Sequence, residues 1–81
     1  MSLKHGESPV TGWVYRVDVT GEVGVCESSD CDAYGWAYGY LRSPSGEWLG
    51  GFSSKKLTHI PQPGDDIRAF RKPVFPIEVK T

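Results

Sequence analysis

No stretch of this 81-residue chain approaches the roughly 18 consecutive apolar residues that a membrane-spanning helix needs. Its N-terminus carries no apolar core of a signal peptide, so the expectation is a soluble, cytoplasmic protein with no membrane partner. Cysteine is scarce: Cys26 and Cys31 are the only two, too few for a disulfide framework or a four-cysteine zinc site. Glu27, Asp30 and Asp32 lie around them, but the spacing matches no zinc signature and no histidine is near in sequence. No metal and no cofactor are expected, and the two thiols are either reduced or joined in one loop-closing disulfide. Long helices are excluded because Gly or Pro interrupts the chain throughout. The longest uninterrupted run is 25–34, and its centre, Glu27-Ser28-Ser29-Asp30, has the composition of a turn.

Catalytic sets are missing as well. His5 and His59 each stand alone, and Asp65-Asp66 follows Pro63-Gly64 as turn residues entering a strand rather than as a paired-carboxylate site. The chain is expected not to be an enzyme. A net charge of −1 gives no overall electrostatic reason to seek nucleic acid or an anionic surface. The charges are unevenly spread, with two basic and six acidic side chains in residues 1–40 against seven and four in 41–81. Where strands interleave the two halves, that bias dissolves into a mixed surface; otherwise it gathers into a basic face.

What the chain does have is ten glycines, six prolines and ten aromatic side chains. Those numbers fit short strands joined by tight turns, with large rings supplying burial in a domain that has little interior. Residues 1–81 are expected to form one domain, with 1–10 a frayed segment. Trp13, Tyr15, Val17 and Val19 alternate with Val14, Arg16, Asp18 and Thr20, the period of a half-buried strand. Thr20-Gly21 then makes a turn or a bulge before an extended run over 22–26. Residues 33–42 show the most regular pattern, with Tyr34, Trp36, Tyr38 and Tyr40 on one side and Ala33, Gly35, Ala37, Gly39 and Leu41 on the other.

Ser43-Pro44-Ser45-Gly46 reads as a four-residue turn leading into a returning strand over 47–53. With Arg42 facing Glu47, the register pairs Leu41 with Trp48, Tyr40 with Leu49 and Ala37 with Phe52. Leu41, Trp48 and Phe52 then form a dry layer opposite the aromatic stripe. Ser53 and Ser54 offer a cap for a short 3₁₀ turn, residues 65–72 read as a strand, Pro73 and Pro76 bracket Val74-Phe75, and 77–80 reads as a short edge strand. The fold class is all-β: a small five- or six-stranded antiparallel barrel in meander order with at most one short 3₁₀ turn.

Three resemblances follow from particular motifs. Glu47-Trp48-Leu49-Gly50-Gly51-Phe52-Ser53-Ser54 with Leu57-Thr58-His59-Ile60 resembles the late strand, 3₁₀ turn and final strand of SH3-like barrels. Gly12-Trp13-Val14, Gly21-Glu22-Val23-Gly24-Val25 and Pro63-Gly64-Asp65-Asp66-Ile67 resemble the punctuation of OB-folds of the cold-shock and S1 type. Residues 33–54 are similar to a hairpin of RNase H-like domains, which would imply a metal-dependent hydrolase with Asp18 as an acid. The remaining chain has no room for that family's helix and further acids, so the likeness is coincidental.

The aromatic stripe carries the functional expectation. Rings on a sheet can stack bases, sugars or peptide, since each offers a flat apolar face and a polar tip. The expected ligand-binding residues are Tyr34, Trp36, Tyr38, Tyr40 and Arg42, with Arg68 and Arg71 as flanking cations. Three readings of the stripe stand side by side: barrel core, ligand surface, or interface with a protein partner or a second copy. The ligand classes are peptide, single-stranded nucleic acid and sugar.

Overall fold

The first reversal of the chain shows how local chemistry sets the elements. In the computed structural model, which describes residues 7–63 and 73–79, strand β1 (Val14–Val17) ends where Gly21 N–H bonds to Val17 O at 2.7 Å. β2 (Val23–Cys31) then returns antiparallel, with Tyr15 opposite Gly24. The Thr20-Gly21 step is thus a hairpin turn. Val19, expected inside, lies in it and is 75% exposed.

Residues 27–30 do not turn but continue β2. The reversal falls at Asp32, whose carboxylate accepts N–H bonds from Tyr34 (2.8 Å) and Trp36 (2.9 Å). Gly35 completes it at φ 84°, a conformation costly for any residue with a Cβ. The second half of β2 is polar because the strand runs out of the core there, with an exposed or half-buried pattern after Cys26.

β3 (Ala37–Arg42) and β4 (Trp48–Ser53) form the next hairpin, followed by a 3₁₀ turn (Ser54–Lys56) and β5 (Leu57–His59). The expected 3₁₀ turn is present. β5 crosses to the far edge and pairs antiparallel with β1, Val17 opposite Leu57, so the sheet order is β4-β3-β2-β1-β5. The first four strands meander and the fifth does not. Among the described residues the five antiparallel strands form one sheet, in which no ladder joins β4 to β5.

One face of the sheet carries the core: Tyr15, Val17, Cys26, Leu41 and Leu57 are buried together, with Trp13, Leu49 and Phe52 packed on them. Pro9 is buried over Gly39, where a Cβ would lie 3.1 Å from Pro9 Cγ. Val10 N–H donates to the Tyr15 hydroxyl at 2.9 Å, so the described start of the chain lids this face. Val14 and Val25 pair across β1 and β2 on the opposite side and are buried too, which covers that end of the sheet twice. Val14 was expected to face water with Arg16.

Residues 77–79 form no strand. Ile77 N–H donates to Pro44 O at 2.6 Å, and Phe75 lies against Gly46, so the tail laps over the β3–β4 turn. Pro73 and Pro76 remove the N–H groups a ladder would use. The strand expected over 65–72, with Arg68, Arg71 and Asp65-Asp66, lies outside the described residues, as do His5 and most of the segment 1–10 expected to fray. Among the described residues no helix is long and apolar enough to cross a membrane.

Leu41 and Gly24 test the core from opposite directions. Leu41 is fully buried, so Leu41→Ala is expected to cost about 2–5 kcal/mol through lost burial and a cavity. At Gly24 a Cβ would sit 2.9 Å from Arg42 O and 2.8 Å from Leu49 Cδ1. Gly24→Ala is expected to cost about 1–3 kcal/mol through overpacking. Urea unfolding followed by tryptophan fluorescence reads both, and wild-type midpoints in either variant would contradict the packing described.

Candidate binding face

Tyr38 and Tyr40 stand two residues apart in β3 and so point to the same side, away from the core, and Arg42 follows on that side. Their rings meet edge to face at 5.4 Å between centroids. Tyr40 then stacks with Trp48 of β4 at 5.8 Å and 24°, and the Arg42 guanidinium lies 5.6 Å from the Trp48 ring. The result is one continuous row across two strands: Tyr38, Tyr40, Trp48, Arg42. Trp48 is 55% exposed, and Gly51 beside it has no side chain to separate it from Tyr40, whose ring edge would be 3.2 Å from a Cβ there.

The membership of this row differs from the sequence expectation at both ends. Tyr34 is 85% exposed in the Asp32–Gly35 reversal, outside any strand. Trp36 precedes β3 and faces Lys55 instead, with Nζ 5.3 Å from its ring. Trp48, expected in the dry layer with Leu41 and Phe52, belongs to the outer row. Its partner is Arg42, while Leu41 pairs with Gly50, Tyr40 with Gly51 and Gly39 with Phe52, across a bulge at Leu49.

Gly46 is the reason. At φ 102° it is the left-handed third residue of a Pro44-Ser45-Gly46 loop, so that Ser43 N–H bonds to Glu47 O at 2.7 Å and Arg42 meets Trp48. A type I turn followed by a left-handed glycine is a common three-residue hairpin loop, and that pattern was legible in the sequence.

Arg42 is held on three sides. Its Nε donates to Glu27 Oε2 at 2.8 Å, its Nη1 donates to Gly46 O at 3.0 Å, and its plane covers Trp48. Glu27 reaches it because it is the unpaired residue of a bulge in β2, between the Cys26–Leu41 and Ser28–Tyr40 pairs. Arg42 is therefore oriented, and its charge paired, by its own fold. At the other end, hydrogen bonding to Tyr40, then desolvation and the negative charge of Asp30, push the Tyr38 phenol up to about 12. It remains a neutral donor at any physiological pH.

Other residues with possible chemistry have structural partners. Asp18 accepts a 2.6 Å hydrogen bond from Thr58 Oγ1 and lies 3.6 Å from Arg16 Nη2, while its N–H bonds to Lys56 O. It ties the end of β1 to the 3₁₀ turn and β5. His59 stacks on Trp13 at 4.4 Å and 19° and tilts against Tyr15. Cys26 and Cys31 are not bonded to each other; Cys26 is buried in the core and Cys31 is exposed. Among the described residues no group of three or more His, Cys, Asp or Glu side chains is placed to hold a metal ion.

Compared with known proteins, the chain matches no family model, no curated protein and no solved structure.

The two thiols should differ sharply in reactivity. Burial pushes the Cys26 thiol up to about 12 from its usual 9.0, so it is protonated and shielded, whereas Cys31 is open to solvent. A disulfide reagent at pH 8 is expected to titrate one thiol in the native protein and two after denaturation. Two fast thiols in the native state would contradict the core position of Cys26. The raised value also links stability to pH: Cys26 keeps its proton longer folded than unfolded, so its contribution is complete below pH 9.0 and declines as pH rises toward 12.

Proposed function

We propose that this chain is a non-catalytic binding module with an SH3-like arrangement of strands, and that Tyr38, Tyr40, Trp48 and Arg42 form its contact face. The SH3-like reading is supported by a late strand, a 3₁₀ turn and a final strand in that order, with the final strand returning beside the first. The functional reading rests on one observation: three rings and a guanidinium form an unbroken row on the side of β3 and β4 away from the core. Large rings left partly in water at adjoining positions are the residues that dominate binding energy at protein contacts.

The ligand class that suits this face is an uncharged segment of polypeptide. Arg42 is paired with Glu27, and Asp30 stands beside Tyr38. A phosphate backbone would meet a neutralised cation at one end of the row and a carboxylate at the other. Apolar side chains can instead settle against the perpendicular Tyr38 and Tyr40 rings, and the phenols can donate to peptide carbonyls.

An NMR titration separates the ligand classes. A neutral, proline-bearing peptide is expected to shift the Trp48 indole signal and leave that of Trp13 unmoved. Trp48→Ala is expected to weaken this binding by about tenfold or more, without loss of the fold, because Trp48 is largely in water. Shifts produced by a short single-stranded oligonucleotide, and abolished by salt, would replace the peptide reading with a nucleic-acid one. Absence of any shift with peptide, oligosaccharide and oligonucleotide would refute the contact face.

A further inference from the structure

The loop that closes the β3–β4 hairpin carries a cover of its own. From Pro73 to Val79 every second residue, Pro73, Phe75, Ile77 and Val79, is half-buried, and those between are exposed. Phe75 lies against Gly46, where a Cβ would come within 3.2 Å of Phe75 Cβ and 3.4 Å of its Cγ. Two residues on, Ile77 N–H donates to Pro44 O at 2.6 Å. The segment thus grips the loop at two points, by a side chain at Gly46 and by the backbone at Pro44.

The same loop reaches the aromatic row through Gly46 O, which accepts Arg42 Nη1 at 3.0 Å, while the Arg42 guanidinium lies 5.6 Å from the Trp48 ring. Phe75 and Arg42 therefore meet one residue, the first at its α-carbon and the second at its carbonyl. A rotation of the Gly46–Glu47 peptide plane would take the oxygen away from Arg42, and a ring packed on Gly46 opposes that rotation. Surface loops without such packing open at little cost. We infer that Phe75 and Ile77 are positioning residues of the contact face proposed above, on which this inference rests: by clamping the loop they keep Gly46 O where it fixes Arg42 over Trp48. Glu27 holds the guanidinium from β2. With Glu27 alone, Arg42 gains freedom to leave the indole, and binding a peptide then carries the cost of ordering it again. The coupling is reciprocal, so a peptide on the row tightens the clamp on the loop.

NMR of the 81-residue chain, free and with a capped Ala-Pro-Leu-Pro-Ala peptide, reads both directions. Phe75→Ala is expected to move the Arg42 Nε–H and Gly46 amide signals of the free protein and leave the Trp13 indole in place. It is expected to weaken the peptide roughly fivefold as followed at the Trp48 indole. Ile77→Pro, which deletes the N–H given to Pro44 O, is expected to act in the same direction with the Phe75 ring kept, and Phe75→Leu to restore most of the affinity. In the wild type the Ile77 amide is expected to exchange more slowly once the peptide is bound. An Arg42 signal that stays put in both Phe75→Ala and Ile77→Pro, wild-type affinity in both, or an Ile77 amide indifferent to the peptide would each overturn the inference and leave the contact face standing. A wild-type Trp48 indole that this peptide does not shift would overturn the peptide reading of the face, and this inference with it.

Discussion

Trp48 owes its place beside Tyr40 and Arg42 to the register of β3 against β4. Side chains alternate along a strand, so a slip of one residue would send Trp48 to the other side of the sheet. Gly46 makes that choice here. Its positive φ lets the loop close on Pro44-Ser45-Gly46, Ser43 pairs with Glu47, and Trp48 lands beside Arg42 and within stacking distance of Tyr40. The bulge at Leu49 then absorbs one extra residue, so that Phe52 still faces the core. A turn and a bulge together thus separate the two largest side chains of β4 onto opposite faces.

The same economy appears in β2. Its first half is apolar and buries Cys26 in the core and Val25 on the opposite side, while its second half is polar and serves the outer face. The bulge that frees Glu27 to hold Arg42 sits at the junction between the two halves. Burial of charge is avoided because the Glu27–Arg42 pair remains about one-third exposed on both sides. In that setting the ion pair adds little to stability and chiefly fixes where the guanidinium points.

Much of the fold was legible in the residues. The strand class, the Ser43–Gly46 reversal, the 3₁₀ turn after Ser53, and Tyr38, Tyr40 and Arg42 on one side of a strand all follow from local patterns of two-residue alternation and turn chemistry, while Thr20-Gly21 left a turn and a bulge equally open and is a turn. The errors share a physical origin. Polar composition at Glu27-Ser28-Ser29-Asp30 suggested a turn, yet it reflects a strand leaving the core, and the true reversal depended on one carboxylate, that of Asp32. The alternation of Tyr34 and Trp36 with small residues extended the apparent strand past that reversal. Trp48 was assigned to the wrong face by counting the loop as four residues. The return of β5 beside β1 and the packing of Pro9 on Gly39 are long-range contacts, for which no short window of sequence carries a signal.

Trp48 and Tyr40 share the solvent side of the sheet while Leu41 faces the core. Paramagnetic relaxation by a soluble, neutral gadolinium chelate, measured on the free protein, addresses it directly. Strong broadening of the Trp48 ring and graded broadening of Tyr40 and Tyr38 are expected, with Tyr15, Leu41 and Leu57 protected. Protection of Trp48 together with cross-strand Overhauser contacts between Leu41 and Trp48 at directly paired positions would contradict it.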